Sequence, residues 1–176
     1  MEATYYYGGI FPVNKTLFLS KLLPSFTPGK MVDLAAGHLK HTEMALALGW
    51  KVTAVDRTAR RVPENLKQHF VLGDAVKFSL DEFDLVLCCG LLYHLNKNHQ
   101  EDLLHKIAER PFIVETIYVE GKYNEPRPPT RSSEAFCVIP SLTNILKVLS
   151  PCAVYLDYSP GRAFFWRRTK NLSENH

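Results

Sequence analysis

Two acids and a glycine stand at spacings that two strand ends could bring to one edge. Asp33 lies in the apolar run Met31-Val32-Asp33-Leu34-Ala35, Gly37 follows it, and Asp56 ends a second run, Val52-Thr53-Ala54-Val55-Asp56. Small residues such as Ala35, Ala36 and Gly37 after a strand let backbone approach a bound molecule closely. A helix that starts there aims N–H groups and its positive dipole end at the same place. An acid at the end of the following strand can accept both hydroxyls of a ribose. Asp33, at the end of the first strand, suits a cationic ligand better than a pyrophosphate. A pyrophosphate turn requires Gly-x-Gly-x-x-Gly, which Ala35-Ala36-Gly37 does not supply.

Further candidates follow the same rhythm. His38 and Arg57 directly follow Gly37 and Asp56, and Gly73-Asp74-Ala75 closes a third apolar run. A fourth run, Phe83-Asp84-Leu85-Val86-Leu87-Cys88-Cys89, passes into Gly90-Leu91-Leu92-Tyr93-His94-Leu95. Tyr93 and His94 are the residues there with acid–base chemistry, and a histidine in such a loop serves equally as base or as strut.

Positioning these residues takes alternating strands and helices, the pattern of a parallel α/β sheet. Strands are expected at 31–35, 50–56, 69–72, 83–89 and 111–117, with helices over about 14–24 and 39–48. A third helix is expected near Asn98, which would cap it with Glu101 three residues on, and a fourth from Ser141. Runs at 152–158 and 162–168 around Ser159-Pro160-Gly161 predict a β-hairpin. Residues 119–140, with prolines at 126, 128, 129 and 140, break the rhythm and predict a loop after the fifth strand. Lys122, Tyr123, Arg127, Arg131 and Phe136 make that loop the candidate for substrate recognition.

Composition excludes several classes. The chain has 176 residues, 46% of them apolar, which suits a single domain with a full core. A net charge of +3 falls short of the dense basic face of a nucleic-acid reader. Cys88, Cys89, Cys137 and Cys152 form no Cys-x-x-Cys pair, so buried thiols, no metal and a cytoplasmic setting are expected. The N-terminus lacks the pattern of a signal peptide, and no apolar run approaches the ~20 residues of a membrane span.

Taken together, Asp33, Gly37, Asp56, Asp74 and the fourth-strand run resemble the motifs of class I S-adenosylmethionine-dependent methyltransferases. Ala35 and Leu39 depart from the resembling turn, standing where the family often has glycine. The resemblance implies a Rossmann-like, doubly wound, mostly parallel seven-stranded sheet with an antiparallel C-terminal hairpin. It implies that Asp33, Ala35, Gly37, His38, Asp56, Arg57, Asp74, Ala75, Cys89, Gly90 and Leu92 border S-adenosylmethionine, with Tyr93 and His94 facing the acceptor. It further implies that residues 1–28 form a leading helix and a segment bordering the pocket, with Tyr5-Tyr6-Tyr7 as a lid or as a hydrophobic anchor on the sheet. A small-molecule acceptor ranks ahead of RNA. Cleavage of the cofactor and a non-catalytic partner subunit are the alternative uses of such a site, and the oligomeric state stays open.

Overall fold

The computed structural model describes residues 4–7, 14–118, 138–157 and 161–168. In chain order the elements are β1 (Thr4–Tyr7), α1 (Lys15–Leu22), β2 (Lys30–Leu34), α2 (Lys40–Ala47), β3 (Lys51–Asp56) and β4 (Phe70–Leu72). They are followed by β5 (Leu85–Cys89), α3 (Lys97–Ala108), β6 (Phe112–Ile117), α4 (Leu142–Leu149), β7 (Ala153–Asp157) and β8 (Arg162–Arg167). The strands form one sheet in the order β1-β7-β8-β6-β5-β2-β3-β4. Among the described strands only β8 runs antiparallel to its neighbours.

The seven strands read from the sequence are all present. An eighth, β1, lies outside them and pairs in parallel with β7, from Thr4 opposite Ala153 to Tyr7 opposite Leu156. Its apolar content is ambiguous in sequence, because three tyrosines in a short run show no alternation. Its backbone lies at the sheet edge, with β7, β8, β6 and β5 between it and the strand that carries Asp33.

Alternation along the strands sorts side chains to two faces. Val32, Leu34, Val86, Cys88, Phe112 and Val114 pack with Leu103, Leu104 and Ile107 of α3 and with Ile145 and Leu149 of α4. Met31, Leu85, Leu87, Cys89 and Ile113 pack on the opposite face with Leu19 and Leu22 of α1 and Ala45 of α2. The period of two therefore also directs Asp33 and Glu115 toward the face covered by α1 and α2.

Side-chain caps fix the helix starts. Asn14 Oδ1 accepts the Thr16 and Leu17 N–H groups, at 3.0 and 3.2 Å. Ser141 Oγ accepts from Asn144. For α3 the sequence points to Asn98, but Asn96 Oδ1 is the acceptor, bonded to the His99 N–H at 2.9 Å. The helix begins a turn's fraction earlier because Asn96 has the extended backbone (φ −71°, ψ 166°) that a cap requires.

Candidate functional site

The strand ends β2, β3 and β5 lie side by side, and the sheet reverses its winding direction between β2 and β5. Open α/β sheets bind ligands in the crevice beyond such a reversal. The turn after β2 builds one wall. Ala35, Gly37 and Leu39 all take left-handed backbone, with φ of 57°, 55° and 57°. The turn thus keeps at Ala35 and Leu39 a conformation that glycine adopts freely and that costs other residues about 1–2 kcal/mol. Leu39 has a compensating role: its side chain is fully buried against Ala54 and Leu66.

Asp33 is buried and accepts a 2.7 Å hydrogen bond from the Thr42 hydroxyl on α2. Burial pushes its carboxyl up to about 7, against the pull of Thr42 and the Lys15 charge. Asp56 straps the turn to the next strand. Its Oδ2 accepts the Gly37 N–H at 3.0 Å and its Oδ1 the Thr58 N–H at 3.0 Å. A carboxylate oxygen has further lone pairs, so a half-buried Asp56 retains acceptor capacity toward the crevice.

Arg57 and Asp74 meet beyond the end of β4, Nη2 to Oδ2 at 3.0 Å, while Asp74 Oδ1 accepts the Val76 N–H. Burial opposes ionisation of Asp74, but the Val76 amide and the Arg57 guanidinium outweigh it and hold the carboxyl below its usual range. Ala75 is buried under this turn, and His38 is exposed at the start of α2.

Past β5, Gly90 takes φ 77°, and Leu92–His94 form a single 3-10 turn. Leu92 is buried; the Tyr93 and His94 rings stack obliquely with centroids 4.4 Å apart. Burial lowers the His94 pKa, so its imidazole is neutral at pH 7, and its ring has no hydrogen-bond partner among the described residues. Burial and the nearby Glu115 raise the Tyr93 hydroxyl, which makes it a donor rather than a base. Cys89, beside Gly90, is buried and its thiol is pushed well up by burial, which disfavours the thiolate a nucleophile needs.

Sequence reasoning missed several residues. Gln100 of α3 is buried and its Nε2 donates to the carbonyls of Leu92, Leu95 and Val138, which fixes the Tyr93–His94 turn from beneath. Glu115, at the end of β6 opposite Cys89, holds Lys15 Nζ at 3.1 Å and Arg162 Nε at 2.8 Å. A lone acid inside the apolar run Phe112–Ile117 was the available signal for Glu115. Lys122, Tyr123, Arg127, Arg131 and Phe136 of the expected recognition loop lie outside the described residues, as does Cys137.

Strand order, the left-handed turn and the acids at successive strand ends meet a match in sequence as well. Residues 32–109 fit the family model described as "Methyltransferase domain". These residues are similar to a methyltransferase domain, and the sheet has the Rossmann-like methyltransferase fold. Solved structures share its fold. The PH0226 protein of Pyrococcus horikoshii is 18% identical with a TM-score of 0.64, over 86% of this chain and 88% of that one. The 1,6-didemethyltoxoflavin-N1-methyltransferase of Burkholderia thailandensis, solved with S-adenosylhomocysteine, is 17% identical with a TM-score of 0.59, over 89% and 76%. The glycopeptide N-methyltransferase MtfA, solved with S-adenosylmethionine, is 18% identical with a TM-score of 0.60, over 88% and 94%. No curated protein sequence matches the chain. No helix among the described residues is long and apolar enough to cross a membrane.

Proposed function

We propose that the domain transfers a methyl group from S-adenosylmethionine to a small-molecule acceptor. The observation that carries this reading is Asp56, tied to Gly37 across the β2–β3 crevice while still half-exposed. The residues fit the cofactor: Asp56 would take the ribose hydroxyls, Asp74 and the Ala75 amide the adenine, and the turn Ala35-Ala36-Gly37-His38 the middle of the molecule. Cys89, Gly90 and Leu92 would border its methionine end, with Arg57 positioning Asp74. The sulfonium supplies an activated methyl carbon. The protein's part is to align the acceptor and exclude water.

His94 is the proposed general base, taking a proton from an acceptor that is protonated at neutral pH. Its neutral imidazole and the lack of a hydrogen bond to its ring among the described residues support that role over the strut. A small acceptor is favoured over RNA because four of the seven arginines among the described residues bond to the protein's own groups, leaving Arg60, Arg61 and Arg168 exposed. Arg57 pairs with Asp74, Arg110 with Asp81 and Arg162 with Glu115, while Arg167 bonds the Ala108 and Arg110 carbonyls. The similar N-methyltransferases named for 1,6-didemethyltoxoflavin and a glycopeptide agree with that preference.

Calorimetric titration with S-adenosylhomocysteine tests the reading. Wild type is expected to bind in the micromolar range. Asp56→Ala should lose 10-fold or more, given the ~1.5–3 kcal/mol of a hydrogen bond to a charged group. His94→Ala should keep that affinity and slow turnover by roughly 100-fold or more. No wild-type binding would defeat the proposal.

A further inference from the structure

Lys15, Tyr93 and Glu115 come from α1, the turn after β5 and β6, and they converge over Gly90. A Cβ placed on Gly90 would stand 3.2 Å from Lys15 Nζ, 3.2 Å from the Tyr93 hydroxyl and 3.8 Å from Glu115 Oε2. Glycine at this position, with its φ of 77°, lets both groups close over the backbone.

The cluster is not a simple strap between elements. The Glu115 side chain is 2% exposed and both its oxygens are engaged, one by Lys15 and one by Arg162. Its buried carboxylate faces these two cations inside the protein. The donors that remain at the opening belong to Lys15, which gives one of its three ammonium hydrogens to Glu115, and to Tyr93. The Lys15 side chain is 28% exposed, enough to meet a ligand, and Glu115 fixes where its charge sits. Glu115, which Lys15 shares with Arg162, is the carboxylate paired with that charge. Asp33 is pushed up to about 7 by burial, and His41 is drawn down to about 4 by burial and by the Lys15 and Lys40 charges, so it stays neutral. An ammonium and a phenol side by side, both 3.2 Å from one point over Gly90, suit an anion with two acceptor oxygens.

We infer that Lys15, aimed by Glu115 and assisted by the Tyr93 hydroxyl, forms a carboxylate-binding subsite over Gly90. The inference rests on the proposed cofactor site and adds the chemistry of its far end. Two carboxylates can reach this point, that of the cofactor's amino-acid end and that of an acceptor.

Lys15→Met and Lys15→Arg distinguish them. S-adenosylhomocysteine and 5′-methylthioadenosine, which lacks the amino-acid end, are titrated into each protein, and benzoate into the S-adenosylhomocysteine complex. Loss of S-adenosylhomocysteine affinity by 10-fold or more in Lys15→Met, with methylthioadenosine unchanged and affinity restored in Lys15→Arg, assigns the subsite to the cofactor. Unchanged S-adenosylhomocysteine affinity, with benzoate binding that Lys15→Met abolishes, assigns it to the acceptor. Equal weakening of both nucleosides makes Lys15 a structural strap and overturns the inference. So does unchanged nucleoside affinity without Lys15-dependent benzoate binding. If wild type binds neither nucleoside, the cofactor reading itself fails, and this inference with it.

Discussion

Asp33 is the residue whose chemistry departs furthest from its sequence reading. An acid at a strand end reads as a ligand for a cation, yet in the fold it sits beneath the turn, bonded to Thr42. With its carboxyl pushed from 3.8 up to about 7 by burial, the folded protein holds this proton to higher pH than the unfolded chain does. The stabilisation is therefore full below pH 3.8 and is lost as pH rises through about 7. Asp33→Asn keeps an acceptor for Thr42 and removes the titration. Denaturant unfolding between pH 4 and 8 should show the variant gaining on wild type as pH rises, by up to about 4 kcal/mol. A constant difference across that range would place the Asp33 proton elsewhere.

At the scale of elements, the β2–α2 turn shows which departures from a motif matter. Ala35 holds the left-handed conformation without glycine, so Ala35→Gly relieves strain while raising unfolded-state freedom. Chemical denaturation should find it neutral or stabilising by up to about 1 kcal/mol. Ala45→Gly within α2, where the same change meets helical backbone and a buried methyl, should cost about 1 kcal/mol or more.

Strand and helix positions were legible because apolar alternation and turn residues are local signals. Asp56 and Gly37 were legible because strand order places their ends side by side. Asn96 displaced Asn98 as the α3 cap because nearby residues offer the same side chain and only backbone geometry chooses between them. Lys15 and Gln100 gave no local signal of their roles, and Glu115 only that of a lone acid in an apolar run. Lys15 and Glu115 are 100 residues apart, and their meeting depends on which face of the sheet α1 covers. Gln100 reads as a polar helix residue until α3 docks and buries it against the Leu92–Leu95 turn.

Across the whole molecule, the β1 end of the sheet and the binding crevice are separate. β1 pairs only with β7 among the described strands, at the edge opposite β4. Deleting residues 1–9 is expected to lower the melting temperature by removing a paired edge strand. It should leave S-adenosylhomocysteine affinity within about twofold, because four strands separate β1 from β2. Weaker binding after deletion would instead make the tyrosine segment a wall of the pocket.

The position of β8 sets an order on how the protein is made. The ribosome delivers residues from the N-terminus, yet this strand, late in the chain, lies in the interior of the sheet between β6 and β7. Until it emerges, β2 through β6 can pair among themselves, while β1 and β7 have no ladder joining them to the rest. A nascent chain halted before residue 162 would therefore carry β6 with an open apolar edge, a surface for chaperones to hold. Translation of one short segment, Arg162–Arg167, converts two fragments into a single sheet.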